Sequence, residues 1–326
     1  MRVLVTGSAG HLGEALIRTL KNSNQEVIGV DIIQSDFTSI VGSIVDRALV
    51  SRLMEGVEAV IHTATLHKPH IVTHDRQSFI DTNITGTLNL LEEANAVGVQ
   101  SFIFTSTTSA FGGALNPPAR SPAVWVTEDV TSIPKNIYGV TKTSAEDLCE
   151  LFHRNHRLPC LILRTSRFFL ELDDNKETRE SYDDANIKAN EFLYRRVDIE
   201  DAVNAHLLAV EKAPSIGFGR YIISATTPFQ SVDLHDLRAN APLALGRRVP
   251  SYETEYARRG WKMFPGIERV YVNERARKEL GWNPQYDFEF VLERLKAGAD
   301  PRSPLAIAVG SKGYHARKFA DGPYPV

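Results

Sequence analysis

The stretch Thr6-Gly7-Ser8-Ala9-Gly10-His11-Leu12-Gly13 decides how this chain begins to fold. It follows a short apolar run, Arg2–Val5, and opens a segment whose leucine and isoleucine residues recur at helical spacing. Small residues at a strand-to-helix turn let the backbone approach a diphosphate, and the helix N-terminus adds unpaired N–H groups. In this context the Gly-x-x-Gly-x-x-Gly spacing indicates a dinucleotide-binding turn, and the alternative is an ordinary glycine turn.

Short apolar runs alternate with helical patterns through the first half of the chain. Continuous runs rich in Val, Ile, Leu and Phe are typical of strands buried on both faces. The runs after the first are Val27–Val30, Ala59–Ile61, Phe102–Phe104 and Cys160–Leu163. With helical patterns near 76–97 and 136–156 between them, they predict an α/β fold, a doubly wound parallel sheet of the Rossmann type.

A smaller C-terminal α/β lobe is predicted to cover the sheet. We assign 1–166 plus about 196–225 to the Rossmann domain, and about 167–195 plus 226–326 to the lobe and tail. In the second half we expect a loop or lid over Leu170–Asn190, a helix over Asp198–Val210, a final helix near Phe288–Lys296, and a surface tail after Asp300.

Composition excludes several classes of protein. The 37 Lys and Arg residues against 40 Asp and Glu give a formal net charge of −3, which argues against nucleic-acid partners. Two cysteines exclude a disulfide scaffold, and no apolar run reaches the roughly 18 residues of a membrane span. We expect no signal peptide, and a reducing cytoplasm with both thiols free.

Asp31 supports the dinucleotide interpretation. It closes the second predicted strand, 18 residues after Gly13, near the expected interval of about 20. A carboxylate there can accept hydrogen bonds from ribose hydroxyls and would repel a 2′-phosphate, so NAD is favoured over NADP. The alternative is an exposed aspartate at the end of a strand.

Tyr138 and Lys142 stand four residues apart and share one face of the predicted helix. A neighbouring cation stabilises a phenolate, so we expect Lys142 to lower the pKa of Tyr138 toward neutrality, which suits a general base. Upstream, the run Thr105–Ser109 places five hydroxyls at the carboxyl end of a strand. Thr107 could hold a substrate oxygen beside Tyr138, or the hydroxyls could simply cap a turn.

Together these motifs resemble the extended short-chain dehydrogenase/reductase superfamily, in its NAD-dependent epimerase/dehydratase branch, over about Met1–Lys296. The matching segments are the glycine turn, Gly42–Asp46, Val60–Thr65, the Asn83 segment, Ser106-Thr107, the Tyr138–Lys142 pair and Asn273–Trp282. The family's usual acid is replaced by Ser43. The resemblance implies catalysis by Thr107, Tyr138 and Lys142, with no metal. It implies cofactor contacts from Gly7, Ala9, Gly10, His11, Leu12, Asp31, Ser43, Ile44, Thr63, Ala64, Thr65, Thr105, Tyr138, Lys142 and Arg164.

The substrate side departs from that family. Arg167 stands where the family has an Asn that helps to hold a nucleotide sugar, and only 27 residues separate it from Arg195. Arg167, Arg195 and Arg196 could grip a diphosphate or the carboxylate of a sugar acid, or could be structural ion pairs with the acidic 171–184 stretch. We predict substrate contacts from His67, Thr107, Thr108, Arg167 and Arg196.

His67, His70 and His74 have helical spacing, but Pro69 argues against a regular helix and a metal site. The resemblance places His67 in the loop over the nicotinamide.

The expected substrate is a small polar or anionic molecule, oxidised at a carbon that bears a hydroxyl. Epimerisation, dehydration and dehydrogenation all remain open. A non-catalytic dinucleotide sensor and a dehydrogenase of an apolar alcohol are alternatives. The resemblance also implies a homodimer through helices near 76–97 and 137–156.

Overall fold

The computed structural model describes residues 1–23, 25–315 and 319. Nine strands lie in this part of the chain: β1 Arg2–Thr6, β2 Glu26–Asp31, β3 Ile40–Val41, β4 Ala59–His62, β5 Ser101–Thr107, β6 Val124–Val126, β7 Cys160–Thr165, β8 Phe218–Ile223 and β9 Arg269–Tyr271. Seven form one parallel sheet in the order β3-β2-β1-β4-β5-β7-β8, and β6 pairs in parallel with β9. The predicted doubly wound parallel sheet is confirmed.

The strand order of the sheet reverses at β1, which pairs with β2 on one side and with β4 on the other. Thr6 at the end of β1 lies opposite Val30 of β2 and His62 of β4. Loops that leave the carboxyl ends of such strands diverge and open a crevice, which is where doubly wound folds bind ligands. The topology therefore predicts a ligand site among the loops after β1, β4 and β5.

Helices cover both faces of the sheet. The described helices are α1 His11–Asn22, α2 Arg47–Met54, α3 Arg76–Ile80, α4 Gly86–Val97, α5 Ile137–His156, α6 Lys176–Ser181, α7 Asp184–Phe192, α8 Ile199–Ile216, α9 Leu234–Ala239, α10 Ala241–Arg248, α11 Tyr252–Arg259, α12 Glu274–Leu280, α13 Phe288–Lys296 and α14 Pro304–Val309.

Side chains cap the two longest of these helices. Asn136 caps α5 by accepting a hydrogen bond from Gly139 N at 3.0 Å. Asp198 caps α8 through Glu200 N at 2.8 Å. Each cap satisfies a first-turn N–H that has no helical partner.

A second apolar core lies in the C-terminal lobe, where Phe229, Leu245, Tyr256 and Phe288 are buried together. Burial of aromatic and aliphatic side chains is the main force that holds such a lobe together. Part of the predicted lobe packs elsewhere, because α12 and α14 contribute Ala276 and Ala306 to the sheet's own core. The domain boundaries stay a prediction.

Two expectations for the second half are wrong. The segment expected to be a loop holds α6 and α7, because Asn175 caps α6 and α7 buries Ile187. The chain after Asp300 does not simply drape over the surface, because Ser303 caps a further helix, α14, whose Ala306 is buried. Residues 316–318 and 320–326 of the predicted tail lie outside the described residues.

In the described ranges, none of the helices has both the length and the apolar character needed to cross a membrane.

The glycine turn yields a stability prediction. A Cβ on Gly13 would lie 2.0 Å from the carbonyl oxygen of Gly7, and backbone atoms cannot yield as a side-chain tip can. We expect Gly13→Ala to lower the free energy of unfolding by about 1–3 kcal/mol or more. The matched control is Gly246→Ala in α10, where the added Cβ meets only the Glu253 carboxylate at 3.0 Å. Urea denaturation of both variants measures the difference, and equal stabilities would contradict the prediction.

Candidate active site

A crevice of about 1280 Å³ opens above the carboxyl ends of β1, β4 and β5. Most predicted contacts line it, on the cofactor side and on the substrate side. These residues are Gly7, Ala9, Gly10, His11, Leu12, Asp31, Ser43, Ile44, Thr63, Ala64, Thr65, Thr105, Tyr138, His67, Thr107, Thr108 and Arg167. Lys142, Arg164 and Arg196 do not line it, and all three are buried.

The glycine turn forms one wall of this crevice. Gly7 has a φ of +74°, and a Cβ there would lie 2.7 Å from both Ala64 N and Thr63 Oγ1. Only glycine fits such a left-handed position at this distance from neighbouring backbone. Directly after the turn, the 12-residue helix α1 begins at His11 and directs its first N–H groups along the crevice. The turn therefore has the form that a diphosphate requires.

Asp31 ties the glycine turn to the end of β2. Its Oδ2 atom accepts a hydrogen bond from Ala9 N at 3.0 Å, and its Oδ1 accepts one from Ile33 N at 3.0 Å. Nearby, Asn89 Nδ2 donates to the carbonyl oxygen of Ile44 at 3.1 Å and holds the edge of the crevice. The carboxylate stands where ribose hydroxyls could bind, so the residues present fit an adenine dinucleotide.

The loop after β4 forms the opposite wall. Thr63 Oγ1 donates to the carbonyl oxygen of Thr6 at 2.6 Å. Further along, Asn83 Oδ1 accepts from Thr65 Oγ1 at 3.0 Å, and Asn83 Nδ2 donates to Thr141 Oγ1 at 3.0 Å. Asn83 thus fixes this loop to α5, the helix that carries Tyr138.

Tyr138 and Thr107 both line the crevice floor, and Thr107 lies near enough to the Tyr138 phenol to lower its pKa in part. Thr107 Oγ1 also accepts from Ser109 N at 3.1 Å, which fixes its rotamer. Beneath them Lys142 Nζ donates to the carbonyl oxygen of Thr105 at 2.6 Å and lies 3.9 Å from the centroid of the Phe104 ring. The sequence motif therefore brings together the phenol, the hydroxyl and the amine.

The predicted lowering of the Tyr138 pKa is wrong for this arrangement. Burial raises the pKa of Tyr138 to about 12, and only the Thr107 hydrogen bond acts in the opposite direction. Burial also lowers the pKa of Lys142 to about 7, against the attraction of Glu146. Desolvation disfavours the charged form of both groups and outweighs their attraction in this structure.

Glu146 is a buried residue that the sequence reasoning missed. Its Oε1 accepts from Ser106 Oγ at 2.5 Å, and its Oε2 accepts from Arg164 Nη2 at 2.6 Å. This pairing holds the Arg164 guanidinium beneath the sheet end and explains why Arg164 does not reach the crevice. Glu146 stands four residues after Lys142, on the same helix face. This spacing in the sequence could have predicted that the two side chains interact.

The three arginines of the substrate side converge on acidic side chains. Arg167 Nη1 lies 2.7 Å from Asp173 Oδ2, and Arg195 Nη2 lies 2.8 Å from Glu191 Oε1. Arg196, only 4% exposed, pairs with Glu191 at 2.8 Å and does not reach the crevice. Arg167 and Arg195 thus form the alternative's ion pairs with the 171–184 stretch, through Asp173, and both also line the crevice. Arg196 forms its ion pair outside that stretch, with Glu191.

Several lining residues were not predicted. Their positions depend on contacts between segments distant in sequence, which local patterns do not reveal. They include Lys68, Phe169, Arg269, Tyr271, Lys312, Tyr314 and His315. The loop that carries His67 and His70 is a short 3₁₀ turn, Lys68–Val72, with Pro69 in its first turn.

Among the residues described, no cluster of three or more His, Cys, Asp or Glu side chains has a metal-binding arrangement.

Comparisons with known proteins agree with this geometry. The NAD dependent epimerase/dehydratase family model matches residues 3–223. The low-salt glycan biosynthesis protein Agl12 of Haloferax volcanii is 27% identical over 323 residues, covering 90% of this chain and 96% of that protein. A UDP-glucose 4-epimerase of Rhizobium meliloti is 24% identical over 328 residues, covering 89% and 94% of the two chains.

A solved structure shows the same fold. It is a short-chain dehydrogenase/reductase superfamily protein from Agrobacterium tumefaciens, crystallised with bound NAD. It superposes with a TM-score of 0.65 at 24% identity, covering 91% of this chain and 96% of that one.

The buried amine of Lys142 yields a pH prediction. Its folded-state pKa of about 7 lies below the ordinary value of 10.5. The unfolded chain therefore binds more protons between these values, and stability should rise with pH from about 7 to 10.5. In Lys142→Met this contribution is absent, so its stability relative to the wild type should be greatest near pH 6 and fall toward pH 10.

Urea denaturation at pH 6, 8 and 10 without added dinucleotide measures this difference. The matched control is Lys296→Met, which alters an exposed lysine of α13 and should show no such trend. A constant difference between wild type and Lys142→Met across the three pH values would contradict the prediction.

Proposed function

Because the chain belongs to the NAD-dependent epimerase/dehydratase family, we propose that its crevice binds NAD and oxidises a carbinol carbon of a sugar-type substrate. The meeting of the Tyr138 phenol and the Thr107 hydroxyl on the crevice floor, with Lys142 one turn further along α5, carries this proposal. A sensor would have no need for a phenol held beside a hydroxyl on the crevice floor. The glycan-biosynthesis and UDP-glucose 4-epimerase relatives support a sugar substrate.

The glycine turn and Asp31 would hold the dinucleotide, which supplies a hydride acceptor when it is bound. Thr107 would position the substrate hydroxyl, and Tyr138 would take its proton. A phenol with a pKa near 12 is almost entirely protonated at neutral pH. The positive charge of Lys142 therefore has to stabilise the phenolate before it can accept a proton. Lys142 Nζ donates one N–H to the Thr105 carbonyl, and its remaining N–H donors would be the ones to contact the nicotinamide ribose.

We propose an anionic substrate group, because positive side chains outnumber negative ones around the crevice. The lining cations are Lys68, Arg167, Arg195, Arg269 and Lys312, and the lining carboxylates are Asp31 and Asp174. Arg195 Nε and Arg269 Nε are buried without a hydrogen-bond partner, so two guanidinium donors remain for a ligand. A carboxylate or phosphate on the sugar satisfies such donors.

Association and location also enter as proposals. Helices α3, α4 and α5 expose Ile80, Val97, Val140 and Leu151, which fits the predicted homodimer surface. Both cysteines, Cys149 and Cys160, are free and buried. This is the state expected in a reducing cytoplasm.

Tyr138→Phe tests the proposed base. We expect turnover to fall by about 10²- to 10⁴-fold because the proton acceptor is lost, while NAD binding is unchanged. The assay follows absorbance at 340 nm and product formation by NMR across neutral sugars, sugar acids and nucleotide sugars. NADH accumulation identifies dehydrogenation, and a new epimer without NADH identifies epimerisation.

The matched control for this assay is Tyr182→Phe, which alters a half-buried tyrosine that does not line the crevice. Full turnover by Tyr138→Phe with normal NAD binding would refute the assigned base. NAD binding without turnover of any of these substrates by the wild type would favour the sensor.

Arg195→Gln tests the anionic group. We expect KM for an anionic substrate to rise by about 10- to 100-fold, because a charge-assisted hydrogen bond is lost, while kcat changes little. The neutral analogue of the same sugar is the control, and its KM should be unaffected. An equal rise in KM for both substrates would show that the substitution acts through the fold.

A further inference from the structure

Residues Ser311–His315, called the strap, cross the mouth of the crevice. Four of them, Lys312, Gly313, Tyr314 and His315, line it together with the glycine turn. The strap reaches this position after α14, which is packed against α1 and α8. A segment from the far end of the sequence therefore closes over the first loop of the sheet.

Glu171 anchors the strap. Its Oε1 atom accepts hydrogen bonds from Ser311 Oγ, Lys312 N and Gly313 N, each at 2.9 Å, and from His11 Nε2 at 2.8 Å. Burial alone would raise the pKa of Glu171, but the contacts with His11 and the strap amide of Gly313 hold it well below its usual value. One carboxylate oxygen thus joins the strap to the first residue of α1.

Two further contacts fix the ends of the strap. Lys312 Nζ forms an ion pair with Glu14 of α1. At the other end His315 Nε2 donates to the carbonyl oxygen of Pro69 at 3.0 Å, in the 3₁₀ turn that follows β4. The strap therefore bridges the two walls of the crevice.

Tyr314 lies at the reactive end of the crevice. Its ring centroid is 5.0 Å from that of His67 and 5.8 Å from that of Phe169. The His67 ring in turn lies 6.4 Å from the ring of Tyr138. These rings form a continuous aromatic wall from the strap to the proposed base.

We propose that the strap is a wall of the dinucleotide site that closes over the bound dinucleotide, with Glu171 as the positioning residue that holds it closed. The attached strap lies across the mouth between the glycine turn and the 3₁₀ turn, where a molecule of that size would leave the crevice. Release of the dinucleotide therefore requires the contacts of Glu171 to break. The inference depends on the proposed binding of NAD in this crevice, but not on the substrate or on catalysis.

The test measures the rate at which NADH leaves the full-length protein, by stopped-flow fluorescence with excess NAD as the competitor. Glu171→Ala removes the anchor. Gly313→Pro removes one donor and excludes the φ of +70° that Gly313 adopts, without touching the core. We expect NADH to leave at least about tenfold faster from both variants, since charge-assisted hydrogen bonds are lost.

Two further variants separate this role from a general effect on the fold. Glu171→Gln keeps an oxygen that accepts hydrogen bonds and should release NADH at an intermediate rate. Glu279→Ala removes a carboxylate that accepts from Tyr221 Oη at 2.8 Å, outside the crevice, and should release NADH at the wild-type rate. Hydrogen exchange at the amides of Lys312 and Gly313 should be faster in Glu171→Ala before any dinucleotide is added.

The outcomes distinguish this inference from the proposed function. If the wild type binds NADH and both strap variants release it at the wild-type rate, the strap proposal is overturned and the proposed function stands. If Glu279→Ala accelerates release as much as Glu171→Ala, the effect is general and the strap proposal is also overturned. If the wild type binds no NADH, both proposals fail.

Discussion

The approach of α1 to the end of β1 is the constraint on which the other features depend. The first turn of α1 sits so close to the glycine turn that Gly13 has no room for a side chain. This contact sets the direction of α1, and with it the space between the loops that follow β1 and β4. The crevice walls, the position of Asp31 and the path of the strap all take their geometry from it.

Two buried carboxylates organise the charges around that crevice. Glu146 holds Ser106 and Arg164 beneath the floor, and Glu191 holds Arg167, Arg195 and Arg196 on the lobe side. Buried charges are tolerated only when they are paired and hydrogen-bonded. The pairing keeps several arginines in fixed positions around the crevice.

Local patterns in the sequence were enough to predict the parallel sheet, the glycine turn and the meeting of Thr107 with Tyr138. Each depends on residues a few positions apart or on the general rule that parallel strands end at one edge. The low pKa of Lys142, the burial of Arg164 and the aromatic wall at Tyr314 could not be predicted in this way. They depend on desolvation and on partners that only the folded chain brings together, such as Glu146 and His67.

The strap also has a consequence for how the molecule folds and opens. Lys312 N contacts His11 Nε2 across a separation of 301 residues, so this contact can form only after α14 has packed against α1 and brought the two segments together. Native proteins open first where few buried contacts oppose it. The strap should therefore form last during folding and detach first under mild denaturant, while the sheet beneath it remains intact. A chain in which the sheet has formed but the strap has not would offer an open crevice to the dinucleotide.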